Sequence, residues 1–216
     1  MTYRIGIVSH HTRLKMSDLL CVEVEADLLS IDPGNIGAGS NHKRVWAELA
    51  TFDTDWSVVL EDDAVPVIGF RDQLAKALTA APAPIVSLYL GQLRPPNAQP
   101  KILDAIAKAD ANEAHWIISD RCLHAVGLAV RTELIEDMLA NLKAYLPIDQ
   151  AIGRWARTKG HEIAYTVPSL VDHADTSTLI NHPDGKPRTP GRIAHRTGTR
   201  ATWNSASVAH GGIVST

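Results

Sequence analysis

The chain has 216 residues, 45% of them hydrophobic and 21% charged, which supports one domain with a sizeable core. Its formal net charge of -3 gives no electrostatic support for nucleic acid or an anionic membrane as partner. No stretch approaches the roughly 18 apolar residues of a membrane span, the first residues read as a strand rather than a signal peptide, and Cys21 and Cys122 suggest two reduced thiols rather than a disulfide. A soluble, cytoplasmic protein is expected.

Tyr3–Ser9 (YRIGIVS) is a short apolar run with β-branched residues, the pattern of a buried strand. Leu19–Glu25 and Ala26–Asp32 read as two more strand-like pieces, closed by the turn Asp32-Pro33-Gly34-Asn35. Ile36–Ser40 (IGAGS) is a glycine-bearing loop. Asn41 then caps a helix over His42–Phe52, with Val45, Trp46 and Leu49 on one face. Trp56–Leu60 is a second buried strand, and it runs directly into Glu61-Asp62-Asp63.

A helix is predicted over Phe70–Ala80, closed by Pro82 and Pro84. Ile85–Leu90 is another strand, Gln92–Pro100 a proline-rich loop and Ile102–Lys108 a helix. His115–Ser119 and Leu123–Val130 suggest a hairpin-like pair. Thr132 is suited to cap a helix over Glu133–Leu142. Pro147-Ile148-Asp149 opens a helix that runs to Lys159, with Gly160 as its stop, and His161–Val167 is the last strand. This alternation predicts a single Rossmann-like α/β domain over residues 1–180 with a mostly parallel sheet. Residues 181–216 form an extended basic arm, laid over the domain or partly disordered.

In such sheets ligands bind beyond the carboxyl ends of the strands, where the acidic triplet lies. Three crowded carboxylates repel one another, and a divalent cation with oxygen ligands relieves that repulsion. Strand alternation turns Glu61 and Asp63 to one face, toward a cation, and Asp62 to the other, toward a nucleotide sugar. The competing reading is a solvated acidic turn. His10 and Arg13, just after the first strand, are suited to base and phosphate, although a polar loop explains them as well. Asp32 offers its carboxylate to a ribose hydroxyl or to its own turn, with the turn favoured. Asn41, His42 and Arg44 lie at a helix start, where anions are favoured. The arm carries Lys186, Arg188, Arg192 and Arg196, and Arg192 or Arg196 could close over a diphosphate. With few apolar residues in the arm, deleting Pro190–Thr216 is expected to harm donor binding more than stability.

The run Asn41–Val67, NHKRVWAELATFDTDWSVVLEDDAVPV, resembles glycosyltransferase family 25, the lipopolysaccharide and collagen galactosyltransferases. Asn41-His42 stands for that family's Ser-His pair, Trp46 for its tryptophan, and Leu60-Glu61-Asp62-Asp63-Ala64 for its acidic motif. Leu123–Val130, Pro147-Ile148-Asp149, Pro168–His173 and Ser177-Thr178 resemble later family segments in the same order. Small bacteriophage glycosyltransferases are similar too, which would make the host cytoplasm the location. The resemblance implies a GT-A-type domain and a UDP-linked donor, with galactose weakly favoured. It also implies an acceptor hydroxyl on a glycan, lipid or protein. It implies Mn2+ or Mg2+ at Glu61 and Asp63 with His173 as a further ligand, and Asp149 as the base of an inverting reaction. Without the resemblance, His173 is a surface histidine and Asp149 a helix cap. A sugar nucleotidyltransferase is the rival, but Ile36–Ser40 is a poor phosphate loop for it. A non-catalytic nucleotide-sugar-binding module is a second rival, disfavoured by the intact triplet.

Overall fold

The computed structural model describes residues 1–175 and 191–210. In chain order its elements are β1 Tyr3–His10, α1 Leu14–Val24, β2 Leu28–Asp32, α2 Ala38–Leu49, β3 Trp56–Glu61 and β4 Ala64–Pro66. Then come α3 Phe70–Ala80, β5 Ile85–Ser87, α4 Gln99–Ala111, β6 Trp116–Ser119, β7 Gly127–Arg131 and α5 Ile135–Asn141. The last are α6 Ile148–Lys159, β8 Ile163–Thr166, β9 Val171–His173 and β10 Ser207–Ala209. Among the described residues no helix is long and apolar enough to cross a membrane.

Eight strands form one sheet in the order β10-β6-β8-β5-β7-β3-β1-β2, and β4 and β9 form a separate pair. The sheet is mixed rather than mostly parallel. Strands β1, β2 and β3 are parallel neighbours, as are β5 with β8 and β10 with β6. Strand β7 runs against both β3 and β5, and β6 runs against β8. The expected hairpin of His115–Ser119 with Leu123–Val130 is therefore absent, since β6 and β7 lie apart in the sheet.

Helices cover both faces, so central strands such as β3 are buried on both sides and mostly apolar, with Ser57 and Ser87 buried among them. Val59 packs with Val45, Trp46 and Leu49 of α2 and Ile152 and Trp155 of α6 on one face. Val58 and Leu60 pack with Leu20 of α1 and Phe70 and Leu74 of α3 on the other. The missing side chain of Gly6 lets α2 approach β1, because a Cβ there would lie 2.5 Å from Val45.

Several elements differ from expectation. Leu19–Val24 lies in α1 and Glu25 is its left-handed cap, with no strand there: Ser17, Leu20 and Val24 are buried at helical spacing, while Leu19 and Val22 face outward. β-branched composition suggested a strand, and packing overrode it. Helix α2 starts at Ala38 after Gly37, so Asn41 sits in its first turn and caps nothing. Thr132 opens a three-residue 3-10 turn rather than capping α5, and its hydroxyl meets Ser57 Oγ at 3.0 Å. Gly160 ends α6 in the left-handed conformation, as expected.

The described part of the arm, residues 191–210, is a built-in strap. Ala194 is buried, Arg200 donates to the carbonyls of Val167 and Ala114, and β10 adds an edge strand beside β6. Trp203 packs its ring 5.2 Å from that of Trp116. Lys186, Arg188 and the Ser177-Thr178 segment lie outside the described residues.

Candidate functional site

The parallel strands β1, β2 and β3 end on one edge of the sheet, with Val8 level with Glu61 and His10 level with Asp32. Two antiparallel pairings bring distant chain to that edge. Because β7 runs against β3, the segment before Gly127 falls beside Glu61, whose N–H donates to Val126 O at 3.0 Å. Because β9 pairs with β4, His173 lies opposite Ala64 and next to Asp63.

The triplet divides into three differently engaged carboxylates. Glu61 Oε1 is 3.1 Å from Nε2 of buried His42. Burial opposes Glu61's ionisation, but His42, aided by His173 and His124, outweighs it and holds the carboxyl below its usual range. Asp62 accepts the His10 backbone N–H at 2.9 Å and Arg13 Nη1 at 2.8 Å. Asp63 Oδ2 accepts the same Arg13 nitrogen at 2.5 Å and lies 3.4 Å from His173 Nε2. Its other oxygen, Oδ1, is buried with no hydrogen-bond partner. Burial first, and Glu61's charge second, raise the Asp63 carboxyl above its usual range.

Asp149 is the second residue of α6, after Pro147 and Ile148, so Pro147 rather than Asp149 is the cap. Its Oδ1 accepts the Gln150 N–H at 2.8 Å. Burial, and then the charge of Glu61, raise its carboxyl to about 6. The shared field ties Asp149 to the triplet despite the long sequence separation.

His124 also belongs here, and the sequence reading passed it over inside a presumed strand. Its Nε2 is buried without a partner, its ring lies edge-on to Tyr89 at 5.0 Å, and burial lowers its imidazole to about 4. The available signal was a histidine in the apolar run just before Gly127.

Other expected residues have structural duties. Asp32 is saturated by backbone: Oδ1 accepts the N–H groups of Gly34, Asn35 and Ile36, and Oδ2 that of Gly37. These bonds, Ile36's foremost, lower its carboxyl and engage both of its oxygens in the turn, the duty favoured from the sequence. Asn41 is buried, accepting from Ser30 Oγ and donating to the carbonyls of Ser9 and Ser30. The His10 ring turns back to its own loop, 2.8 Å from Thr12 Oγ1. Arg44 is exposed on α2. Arg192 lies by the cluster, its Nε 3.5 Å from Asp175 Oδ1, whereas Arg196 is bound to Asp110 of α4 at 2.5 Å and 3.0 Å.

Among the described residues, no three His, Cys, Asp or Glu side chains form a ready metal-holding group. The chemistry at Asp63 nevertheless suits a cation: a bare, buried carboxylate oxygen in the field of Glu61. His173 suits it less well. Its Nδ1 accepts the Asp175 N–H at 2.9 Å, which leaves the proton of a neutral ring on Nε2, facing Asp63. Ligation through Nε2 would require that bond to Asp175 to open. A separate cleft of about 390 Å³ lies under the strap between Asp110, His115, Arg200 and Asn204. It holds none of the acidic triplet.

No family model matches the chain, so the family-25 resemblance rests on the segments quoted above. No curated protein matches it either. Among solved structures, the chain is similar to A197 from STIV, with 13% identity, 92% of this chain and 98% of that chain covered, and a TM-score of 0.46. It is also similar to a glycosyltransferase involved in the glycosylation of the major capsid of PBCV-1, with 12% identity, 63% and 66% of the two chains covered, and a TM-score of 0.30.

Proposed function

We propose that the chain is a GT-A-type glycosyltransferase that moves a sugar from a UDP-class nucleotide donor to an acceptor hydroxyl on a glycan, lipid or protein. The observation carrying this reading is a pair of carboxyl groups driven apart in protonation. Glu61 is held ionised by His42, while Asp149 is raised to about 6 by burial and by Glu61. A carboxyl near 6 is half ionised at about pH 6 and mostly ionised at neutral pH, while still able to hold a proton, which suits a general base.

In the proposed reaction the acceptor hydroxyl gives its proton to Asp149 as its oxygen bonds to the anomeric carbon. The bond from that carbon to the diphosphate breaks on the opposite side, and the nucleoside diphosphate leaves with inverted configuration at the sugar. A divalent cation, Mn2+ or Mg2+, held by Asp63 with Glu61, would neutralise the departing diphosphate. His42 keeps Glu61 ionised and oriented. Arg192, at the start of the strap, is near enough to His173 and Tyr89 to act on their charge, and it offers a guanidinium to the same ligand.

Incubation with UDP-sugars, Mn2+ and simple glycan acceptors tests the proposal. Release of UDP with a glycosylated product is expected. Pyrophosphate release from UTP and a sugar phosphate, or donor binding without turnover, would overturn it.

A further inference from the structure

We infer that Arg13 competes with the divalent cation for the acidic triplet, and that once displaced it binds the donor diphosphate, so that one side chain couples the two ligands. The inference rests on the reading of the triplet as a cation site.

Arg13 Nη1 bridges two carboxylates, at 2.8 Å from Asp62 Oδ1 and 2.5 Å from Asp63 Oδ2. All three side chains are at least 88% buried, so solvent screens this contact little. Asp63, only 8% exposed, still has a bare buried oxygen. A cation on that oxygen would share one carboxylate with a guanidinium. Two positive centres that close repel strongly in a water-poor site, so cation binding works against the Arg13 contact. Asp62 is already fixed by the His10 N–H, and it stays in position without Arg13.

Arg13 ends the three-residue 3-10 turn His11–Arg13, just past β1. Its backbone carbonyl accepts from Ser17 Oγ, which fixes the root of the long side chain at the strand edge. A guanidinium released at the strand edge meets the expected position of the diphosphate, whose paired oxygens match its planar fork. Cation binding thereby frees a phosphate ligand, and diphosphate binding removes a competitor of the cation. Coupling of this kind is reciprocal.

The test is Mn2+ binding to the full chain without nucleotide, followed by calorimetry or by the spin resonance of free Mn2+. Arg13→Gln keeps a hydrogen-bond donor and removes the charge. It should bind Mn2+ about tenfold more tightly than the parent, within the usual range of coupling between sites. The tightening of UDP binding by Mn2+ should shrink by a similar factor. Arg13→Lys keeps a charge that cannot span both carboxylates, and should fall between the two. Should Arg13→Gln fold only when Mn2+ is present, metal replacement of the guanidinium is supported directly. Should it fail to fold in any condition, Arg13→Lys decides, and an affinity no higher than the parent's overturns the inference. Unchanged or weaker Mn2+ binding in folded Arg13→Gln also overturns it, as does the absence of Mn2+ binding in every form. Sugar transfer that persists in a chelator would then leave the glycosyltransferase reading standing, whereas absence of any transfer would remove that reading independently.

Discussion

Asp149 lies two positions past the cap residue Pro147 of α6, and its raised carboxyl makes it costly to keep ionised. A carboxyl raised from 3.8 to about 6 by folding favours the native state in its protonated form. Its contribution to stability is complete below about 3.8 and is lost as pH rises through about 6, a change of up to about 3 kcal/mol. Asp149→Asn removes that loss. At pH 7 the variant should melt no lower than the parent, yet turn over at least about 100-fold more slowly with donor affinity retained. The parent's rate should rise through a midpoint near pH 6, and that limb should vanish in the variant. Normal turnover with a lowered melting temperature would reduce Asp149 to a helix-end carboxylate. Asp63→Asn acts differently. It keeps the shape and leaves Arg13 on Asp62, so the fold should survive. It removes the anionic oxygen suited to a cation, so Mn2+ should no longer tighten UDP binding. A titration in which Mn2+ still does so would sink that assignment.

At the level of elements, legibility followed locality. β1, β3, α3 and the Gly160 stop of α6 could be read because each carries its own signal: a continuous apolar run, an amphipathic face, a residue free to turn left-handed. α1 misled because Val22 and Val24 suit a strand, and only packing against β1 and β4 selects the helix. The site was half legible for the same reason. Glu61-Asp62-Asp63 is contiguous, so it stood out. His124 arrives through the antiparallel β3–β7 pairing, which no local pattern encodes. Polar residues at strand ends and helix starts look alike from sequence whether they face a ligand or backbone; Asp32 at the end of β2 and Asn41 in α2 face backbone. Asn41 ties the ends of β1 and β2 through Ser9 O and Ser30 O, so Asn41→Ala should cost about 2 to 3 kcal/mol by leaving buried groups unpaired. Urea unfolding would measure this. A variant with parental stability and selectively weakened UDP binding would return Asn41 to the donor site.

Across the whole molecule, the contacts of the strap tie the described part of the basic arm to the fold. Of the strap's apolar residues Ala194 is buried and Trp203 half-buried, whereas Ile193 is exposed. Trp203 rests against Trp116 and His115 while its Nε1–H donates to Gln73, and Gln73 Nε2 in turn donates to the Arg200 carbonyl. Trp116 donates to Asn204 O, and the His115 N–H to Ala206 O, so the chain enters β10 already fastened. Arg200 is bound to carbonyls and Arg196 to Asp110, while Arg192, ion-paired with Asp175, is the strap's arginine beside the site. Removal of residues 191–216 would bare Trp116 and the edge of β6 together, and unpaired edges invite association. The truncated chain should therefore lose cooperative thermal unfolding or aggregate. Trp203→Ala, a milder change at a half-buried ring, should cost roughly 2 to 3 kcal/mol and lower the melting temperature by roughly 4 to 10 °C. UDP affinity should be unaltered in Trp203→Ala, because the strap's arginine beside the site enters the fold through Asp175, whose carboxylate accepts the N–H groups of Gly191 and Arg192. Limited proteolysis separates the two roles: cleavage of the strap in Trp203→Ala should be faster than in the parent to the same degree with and without UDP and Mn2+. Protection by those ligands alone, at an unchanged melting temperature, would restore the arm to the donor site.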